Sequence, residues 1–348
     1  MSEFAIKTGS LVLVTGANGF IAGHIVDQIL QHGYRVRGTV RDISRDQWLT
    51  GHFEEKYGPD KFELAEVSDM LADGAFDKVL KGVSGVVHVA TPVLKSPDPN
   101  AIIPSVVAIM TRLLEAAAKE PEIKRVVLTS SSAACASLDG TQVFAINSDM
   151  WNEASVEAAY APPPYEGPHR IGAVYAASKT RQEQTAWNWV REHKPSFIFN
   201  AVLPNANLGP SIDAVHQGYR STLYWMKTAF EKGEKLNAKQ DLLGLTPQYY
   251  VDVRDDAALH VAALVYPDVE NERIFAFSHP FNANDILRTL KKLYPDRKFG
   301  EEEPNAAVEK STVTNERAEE LLKRITGHGW TSFETSLRDA TKEVSAQF

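Results

Sequence analysis

Cysteine is almost absent from this chain of 348 residues: Cys135 stands alone. That excludes an internal disulfide framework and a zinc site built from several thiolates. Cys135 itself reads either as a thiol beside a pocket or as a buried, inert one. Lysine and arginine number 37 against 45 aspartates and glutamates, a formal charge of −8. With no basic run to offset this, no nucleic-acid partner is expected, because a polyanion needs a concentrated positive surface. On this reading no stretch approaches the run of about 20 apolar residues that spans a bilayer, and Met1 to Ser10 hold no apolar signal core. A cytoplasmic protein without a membrane partner is therefore expected. Internal repeats and low-complexity blocks are missing, as is any His-Glu-x-x-His pattern. His88 in an apolar strand and His260 in a helix read as packing residues, and no metal is expected.

Against these absences stands a short, continuous, Val-rich run, Leu11-Val12-Leu13-Val14, of the kind that forms a parallel strand buried on both faces. It leads into Thr15-Gly16-Ala17-Asn18-Gly19-Phe20-Ile21-Ala22. Ile21, Ile25 and Ile29 then recur at helical spacing, and His32-Gly33 supplies a stop. Tyr34 to Val40 reads as a second strand, which completes a βαβ unit. Glycines at 16 and 19 let the backbone approach a pyrophosphate seated on the helix N-terminus, with Ala22 as the third small position. A tight turn without a ligand is the alternative for the same residues.

Further strands are expected at Phe62 to Val67, Gly85 to Ala90, Val126 to Thr129, Phe197 to Leu203 and Arg273 to Phe277. They alternate mostly with helices, which predicts a doubly wound parallel α/β sheet, the Rossmann class. Tyr175-Ala176-Ala177-Ser178-Lys179 falls in a helical segment. Residues four apart share a helix face, so the Lys179 ammonium is expected to stand near the Tyr175 phenol and lower its pKa toward working pH. Spacing alone fits equally an aromatic packed beside a solvated lysine. Residues 136 to 172, with Pro162-Pro163-Pro164 and Gly167-Pro168, read as an irregular excursion able to cover a site.

Taken together, these segments resemble the extended short-chain dehydrogenase/reductase family over nearly the whole chain. Thr15 to Ala22 is similar to its cofactor turn, Lys124 to Ser131 to its serine strand, Tyr175 to Lys179 to its active-site pair, and Tyr250 to Ala257 to a late signature. Gly9 to Phe20, Asn200 to Asn205 and Pro247 to Val251 resemble fungal NADPH-dependent carbonyl and aldehyde reductases. Thr39-Val40-Arg41-Asp42 resembles plant dihydroflavonol reductases.

The resemblance implies reduction of an aldehyde, ketone or keto ester, with its oxygen held between Ser131 and Tyr175. Hydride would come from NADPH, the proton from Tyr175, and Lys179 would bind the nicotinamide ribose. Ser132 is the alternative to Ser131, although strand alternation sends Ser130 and Ser132 to the opposite face. Cofactor contacts are expected from Thr15, Gly16, Asn18, Gly19, Phe20, Ile21, Asp69, Met70, Ala90, Thr91, Tyr175, Lys179, Pro204 and Asn205. At the end of the second strand the place where an NAD site puts a carboxylate falls near Val40, and Arg41 follows it, which points to the 2′-phosphate of NADPH/NADP+. Asp42 is expected to cap the following turn, and Arg45 reads as a second contact or a solvated arginine. Asp69 is either an adenine contact or a helix N-cap, and Asn205 either a substrate contact or a turn-holder.

Residues 1–204 plus 247–281 are expected to form the NADP-binding domain, and 205–246 plus 282–348 a substrate lobe. Tyr224, Trp225, Met226, Leu242 and Leu243 read either as a pocket wall or as core of that lobe. The expected partner is a small-molecule carbonyl compound. Helices at 102–119 and 174–193 either form a homodimer or cover their own sheet. A dihydroflavonol-reductase-like enzyme and a non-catalytic NADP-binding redox sensor are the alternative functions.

Overall fold

A computed structural model describes residues 4–92, 96–242 and 245–346, so Met1–Glu3 and Leu243 of the sequence reading lie outside the described residues. The chain divides into two compact units. One is Met1–Ser137, Asp149–Leu203 and Ala257–Ile274; the other is Leu138–Ser148, Pro204–Asp256 and Phe275–Phe348.

The first unit is built on a seven-stranded sheet. Its strands are β1 (Leu11–Thr15), β2 (Arg35–Val40), β3 (Phe62–Glu66), β4 (Val83–His88), β5 (Arg125–Thr129), β6 (Ile198–Pro204) and β7 (Arg273–Ala276). They lie in the order β7-β6-β5-β4-β1-β2-β3, and the pairings that join β3 through β6 are all parallel. All five residues of β1 and all five of β5 are buried, which is why both read as continuous apolar runs rather than alternating ones. Strand order reverses between β1 and β4, and the crevice beyond their carboxyl ends is where such sheets take dinucleotides.

Helix Pro99–Ala118 opens on an Asp98 cap with proline in its first turn, where a missing N–H costs nothing. Against expectation, it is long and apolar enough to cross a membrane by length and composition. One stripe of it, Ile103, Val106, Ile109, Met110, Leu113 and Leu114, is buried within the unit. Ile103 packs there with Val174 and Ala177 of helix Gly167–His193 and with Val156 and Ala159. A core helix and a membrane span share this composition; the packed stripe is what a core helix shows.

The excursion at 136–172 is more ordered than its prolines suggest. Helix Glu153–Tyr160 forms within it, capped by Asn152, whose side chain accepts from Ser155 N. The Arg170 guanidinium donates to the carbonyls of Ala158, Ala159, Ala161 and Pro162 and so closes the C-terminal end. Gly167-Pro168 is not loop but the first turn of the long helix Gly167–His193, again with proline where it is tolerated.

In the second unit, Gln248–Asp252 pairs parallel with Ala206–Leu208 and antiparallel with His279–Phe281. Residues 247–256 and 275–281, assigned from sequence to the first domain, fall in this unit, and Gln248–Asp252 and His279–Phe281 are the parts of them that form its small sheet. Ala145–Ile146 pairs with Thr312–Val313, which brings 138–148 in as well. The buried Asp252 accepts from Arg254 and from Ser336 of helix Phe333–Ser345. Trp225, Met226 and Leu242 are buried, whereas Tyr224 is about half exposed.

Candidate functional site

At the end of β1 the chain turns at Gly16, whose φ is 69°, a backbone conformation glycine adopts without strain. A side chain there would also crowd Ala90, since an added Cβ would stand 3.1 Å from the Ala90 Cβ. Thr15 ties the two strand ends together: its Oγ1 accepts from Val89 N and Ala90 N, both at 3.0 Å. With those lone pairs used, the Thr15 hydroxyl donates to His88 Nδ1 at 2.9 Å. Burial pushes the His88 pKa down to about 3, so the ring is neutral and carries its proton on Nε2. That atom is buried without a partner among the described residues.

Helix Phe20–Gln31 follows the turn with Gly19 at its N-cap, no side-chain cap and no acidic residue in its first turn. Such an end suits an anion. Phe20 is buried, and Asn18 and Ile21 are half-buried around it. The Asn18 amide donates to Asp46 at 2.9 Å, and Gly16 N donates to Thr39 Oγ1 at 3.3 Å.

Arg41 is exposed just past β2. Asp42 is turned away to cap helix Ile43–Asp46, accepting from Arg45 N and the Ser44 hydroxyl. Those bonds hold its carboxyl below the usual range. Asp69, beside the half-buried Met70, accepts from Leu71 N at 2.8 Å. Turns rather than a helix follow it, so the N-cap alternative is not the one adopted.

Ser131 ends the extended run after β5 and caps the short 3₁₀ turn Ser132–Ala134, accepting from Ala133 N. The Tyr175 phenol donates to Ser131 Oγ at 3.4 Å. Of the three consecutive serines, Ser131 meets the phenol, while Ser130 points the other way and donates to Glu183 at 2.6 Å. Lys179 is buried on the same helix, and its ammonium donates to Thr91 Oγ1 and the Thr129 carbonyl, both at 3.1 Å.

The electrostatics differ from the simple i,i+4 expectation. Tyr175 as a residue is 38% exposed, but burial around its hydroxyl raises its pKa above 10, with only the Ser131 bond pulling down. Burial likewise drives Lys179 down, to about 8, against the raising influence of Glu183. Proximity to Lys179 does not make Tyr175 acidic: burial raises the phenol, and the Ser131 bond is the one opposing cause.

Sequence reasoning passed over Glu183 and Arg273, which pair beneath the serines with Nε to Oε1 at 2.6 Å. The available signal was the stripe Tyr175, Lys179, Glu183 at steps of four. Cys135 belongs to the same cluster, buried, with its thiol pushed up to about 12. Pro204 ends β6 and opens the second unit. Asn205 next to it does not hold its turn: its Nδ2 is buried without a partner among the described residues, and Asn207 is the side chain that bonds back to the Asn205 carbonyl. The second unit also contains a cavity of about 530 Å³ lined by Tyr250, His279, Phe281, Trp330 and Phe333 among others. None of the sequence-predicted site residues lines it.

The model of the NAD dependent epimerase/dehydratase family matches residues 12–276. An aldehyde reductase 2 of Sporidiobolus salmonicolor is 40% identical over 342 residues, 98% of this chain and 98% of its own. A ketoreductase of Penicillium rubens, adrE, is 39% identical over 95% of this chain and 96% of its own. Yeast methylglyoxal/isovaleraldehyde reductase Gre2, solved with NADPH, superposes with a TM-score of 0.80 over 97% of this chain and 98% of its own, at 24% identity. At that identity the likeness is one of fold.

Proposed function

The chain belongs to the NAD dependent epimerase/dehydratase family, and from that premise we propose that it is an NADPH-dependent carbonyl reductase. It turns aldehydes, ketones or keto esters into alcohols. The observation that carries this is the hydroxyl pair of Ser131 and Tyr175, 3.4 Å apart with the Lys179 ammonium fixed on the same helix. The names of the aldehyde reductase and ketoreductase relatives support a carbonyl substrate, and the NADPH in the yeast reductase supports the cofactor.

The residues present fit that cofactor. Gly16, Gly19 and the start of helix Phe20–Gln31 would hold the pyrophosphate, since neither a Cβ nor a side-chain cap fills the place. Arg41 would take the 2′-phosphate, with the adjacent carboxylate, Asp42, committed to a helix cap. Lys179 would hold the nicotinamide ribose. NADPH, when bound, supplies the hydride.

The protein's own part is to orient the carbonyl and provide the proton. Two hydroxyls converging on one oxygen polarise it and stabilise the charge that develops there. A raised Tyr175 pKa keeps the phenol protonated at neutral pH, as a proton donor must be, and the adjacent Lys179 ammonium stabilises the tyrosinate left behind. Their separation of 3.4 Å is long for a hydroxyl pair, as is common before a substrate oxygen draws such groups together.

The test is loss of NADPH absorbance across a panel of apolar and aromatic aldehydes, ketones and keto esters. Turnover of members of that panel is expected. Cofactor binding without turnover of any of them would overturn the reading in favour of a redox sensor.

A further inference from the structure

Behind the two hydroxyls lies a buried side-chain cluster that the chemistry above does not use. Glu183 is fully enclosed, and both its oxygens are occupied. Oε1 accepts from Arg273 Nε at 2.6 Å and Trp187 Nε1 at 3.0 Å; Oε2 accepts from Ser130 Oγ at 2.6 Å and Arg273 Nη2 at 3.3 Å. The Arg273 guanidinium also donates to the Met150 carbonyl at 2.8 Å and to Cys135 Sγ at 3.2 Å. Its carbon stands 4.0 Å over the Trp151 ring. One ion pair thus joins the long helix, the serine segment, the chain before helix Glu153–Tyr160, and β7.

We propose that the Glu183–Arg273 pair is a positioning element of the active site, setting through Ser130 where Ser131 stands against Tyr175 and placing a fixed negative charge one helical turn behind Lys179. The argument is geometric. Ser130 and Ser131 are consecutive and point to opposite sides. Ser130 N is held by the Val202 carbonyl at 2.8 Å and its hydroxyl by Glu183. Tyr175, Lys179 and Glu183 recur every four residues on helix Gly167–His193, so they share one face. The helix that carries the phenol therefore also grips the residue beside the serine that the phenol must meet, and the gap between the two hydroxyls is fixed from both sides. Buried ion pairs with every polar atom satisfied add little stability over apolar residues of equal volume; what this one supplies is register.

The charge acts on Lys179. The groups facing that ammonium are Tyr175 and Glu183 on its own helix, His88 on β4, neutral above about pH 3, and the oxygens of Thr91 and Thr129. Glu183 opposes the burial that drives Lys179 down, with Arg273 beyond it offsetting part of its charge. Without Glu183, Lys179 loses its proton at lower pH, and reduction that depends on the ammonium fails at lower pH.

This inference rests on the reductase reading, so the experiment carries controls that separate the two. Wild type and Tyr175→Phe establish the reading itself; only if wild type turns over and Tyr175→Phe does not are the remaining variants informative about the pair. Glu183→Gln keeps shape and loses charge, Glu183→Gln with Arg273→Met removes both charges and so avoids an orphaned cation, and Ser130→Ala cuts only the tether. Each is scored for NADPH binding, kcat and the alkaline limb of the kcat profile. We expect NADPH binding to persist in all three and kcat to fall about tenfold or more, as small misplacements of reacting groups cause. The alkaline limb should move to lower pH in both Glu183 variants and stay in place for Ser130→Ala. A folded Glu183 variant with the wild-type kcat and a superimposable limb would overturn the proposal. Should neither Glu183 variant fold, wild-type kcat in Ser130→Ala would overturn it, and a tenfold fall with NADPH binding intact would sustain it.

Discussion

Replacing Lys179 by methionine should abolish activity and, at neutral pH, relieve the fold of an expensive buried charge. Lys179 is buried and its pKa lies near 8 instead of 10.5. At about 1.36 kcal/mol for each pKa unit, the enclosed ammonium costs about 3 kcal/mol at pH 7. Because the folded pKa lies below the unfolded one, the unfolded chain holds more protons between about pH 8 and 10.5, and stability rises with pH through that window. Most of the rise falls between pH 7 and 9.5, where it amounts to about 2 kcal/mol. Methionine cannot titrate, so wild type should gain about 2 kcal/mol on the variant between those two pH values. Losing the bonds to Thr91 and the Thr129 carbonyl costs the variant about 1–3 kcal/mol. That offset is the same at both pH values and drops out of the comparison. The assay is urea unfolding of both proteins, without cofactor, at pH 7 and 9.5. Stability differences that stay equal across the two pH values would refute the claim that Lys179 is held against its own desolvation.

Tyr175→Phe should cut kcat by about 10²–10⁴-fold with NADPH still bound, since only the transferable proton is lost; steady-state turnover beside a fluorescence titration checks both halves. Arg41→Ala should weaken NADPH by about ten- to a hundredfold and NADH far less, the worth of one or two charge-assisted bonds to a phosphate; equal losses in paired titrations would remove Arg41 as the 2′-phosphate reader. Leu13→Ala, at a fully buried position of β1, should cost about 2–5 kcal/mol of stability by opening a cavity in the sheet core, read from the urea midpoint.

The sheet was legible in sequence because parallel strands buried on both faces leave runs such as Leu11 to Val14 and Val126 to Leu128, which no surface element imitates. Helix ends were less so. Pro162-Pro163-Pro164 and Gly167-Pro168 look alike as breakers, yet one follows a helix and the other starts one. The difference lies in Arg170, which gathers four carbonyls at the first helix's end, and a guanidinium's targets are set by tertiary structure.

The site divides in the same way. Tyr175 and Lys179 could be paired from their spacing, because i,i+4 geometry is a property of the helix itself. Their protonation could not, because it is decided by how much of the fold closes over them: burial raises one and lowers the other, opposite to what proximity alone would do to the phenol. Arg273 lies 90 residues from Glu183, and nothing local to either announces the other. Yet the stripe that made Tyr175 and Lys179 readable continues one step further to Glu183. A carboxylate on the buried face of a helix has to find a cation or a set of donors, so its presence at that step implies a partner even where the sequence cannot name it. Local periodicity therefore locates the groups that act, and the question of what satisfies each buried charge on the same stripe locates the groups that hold them in place.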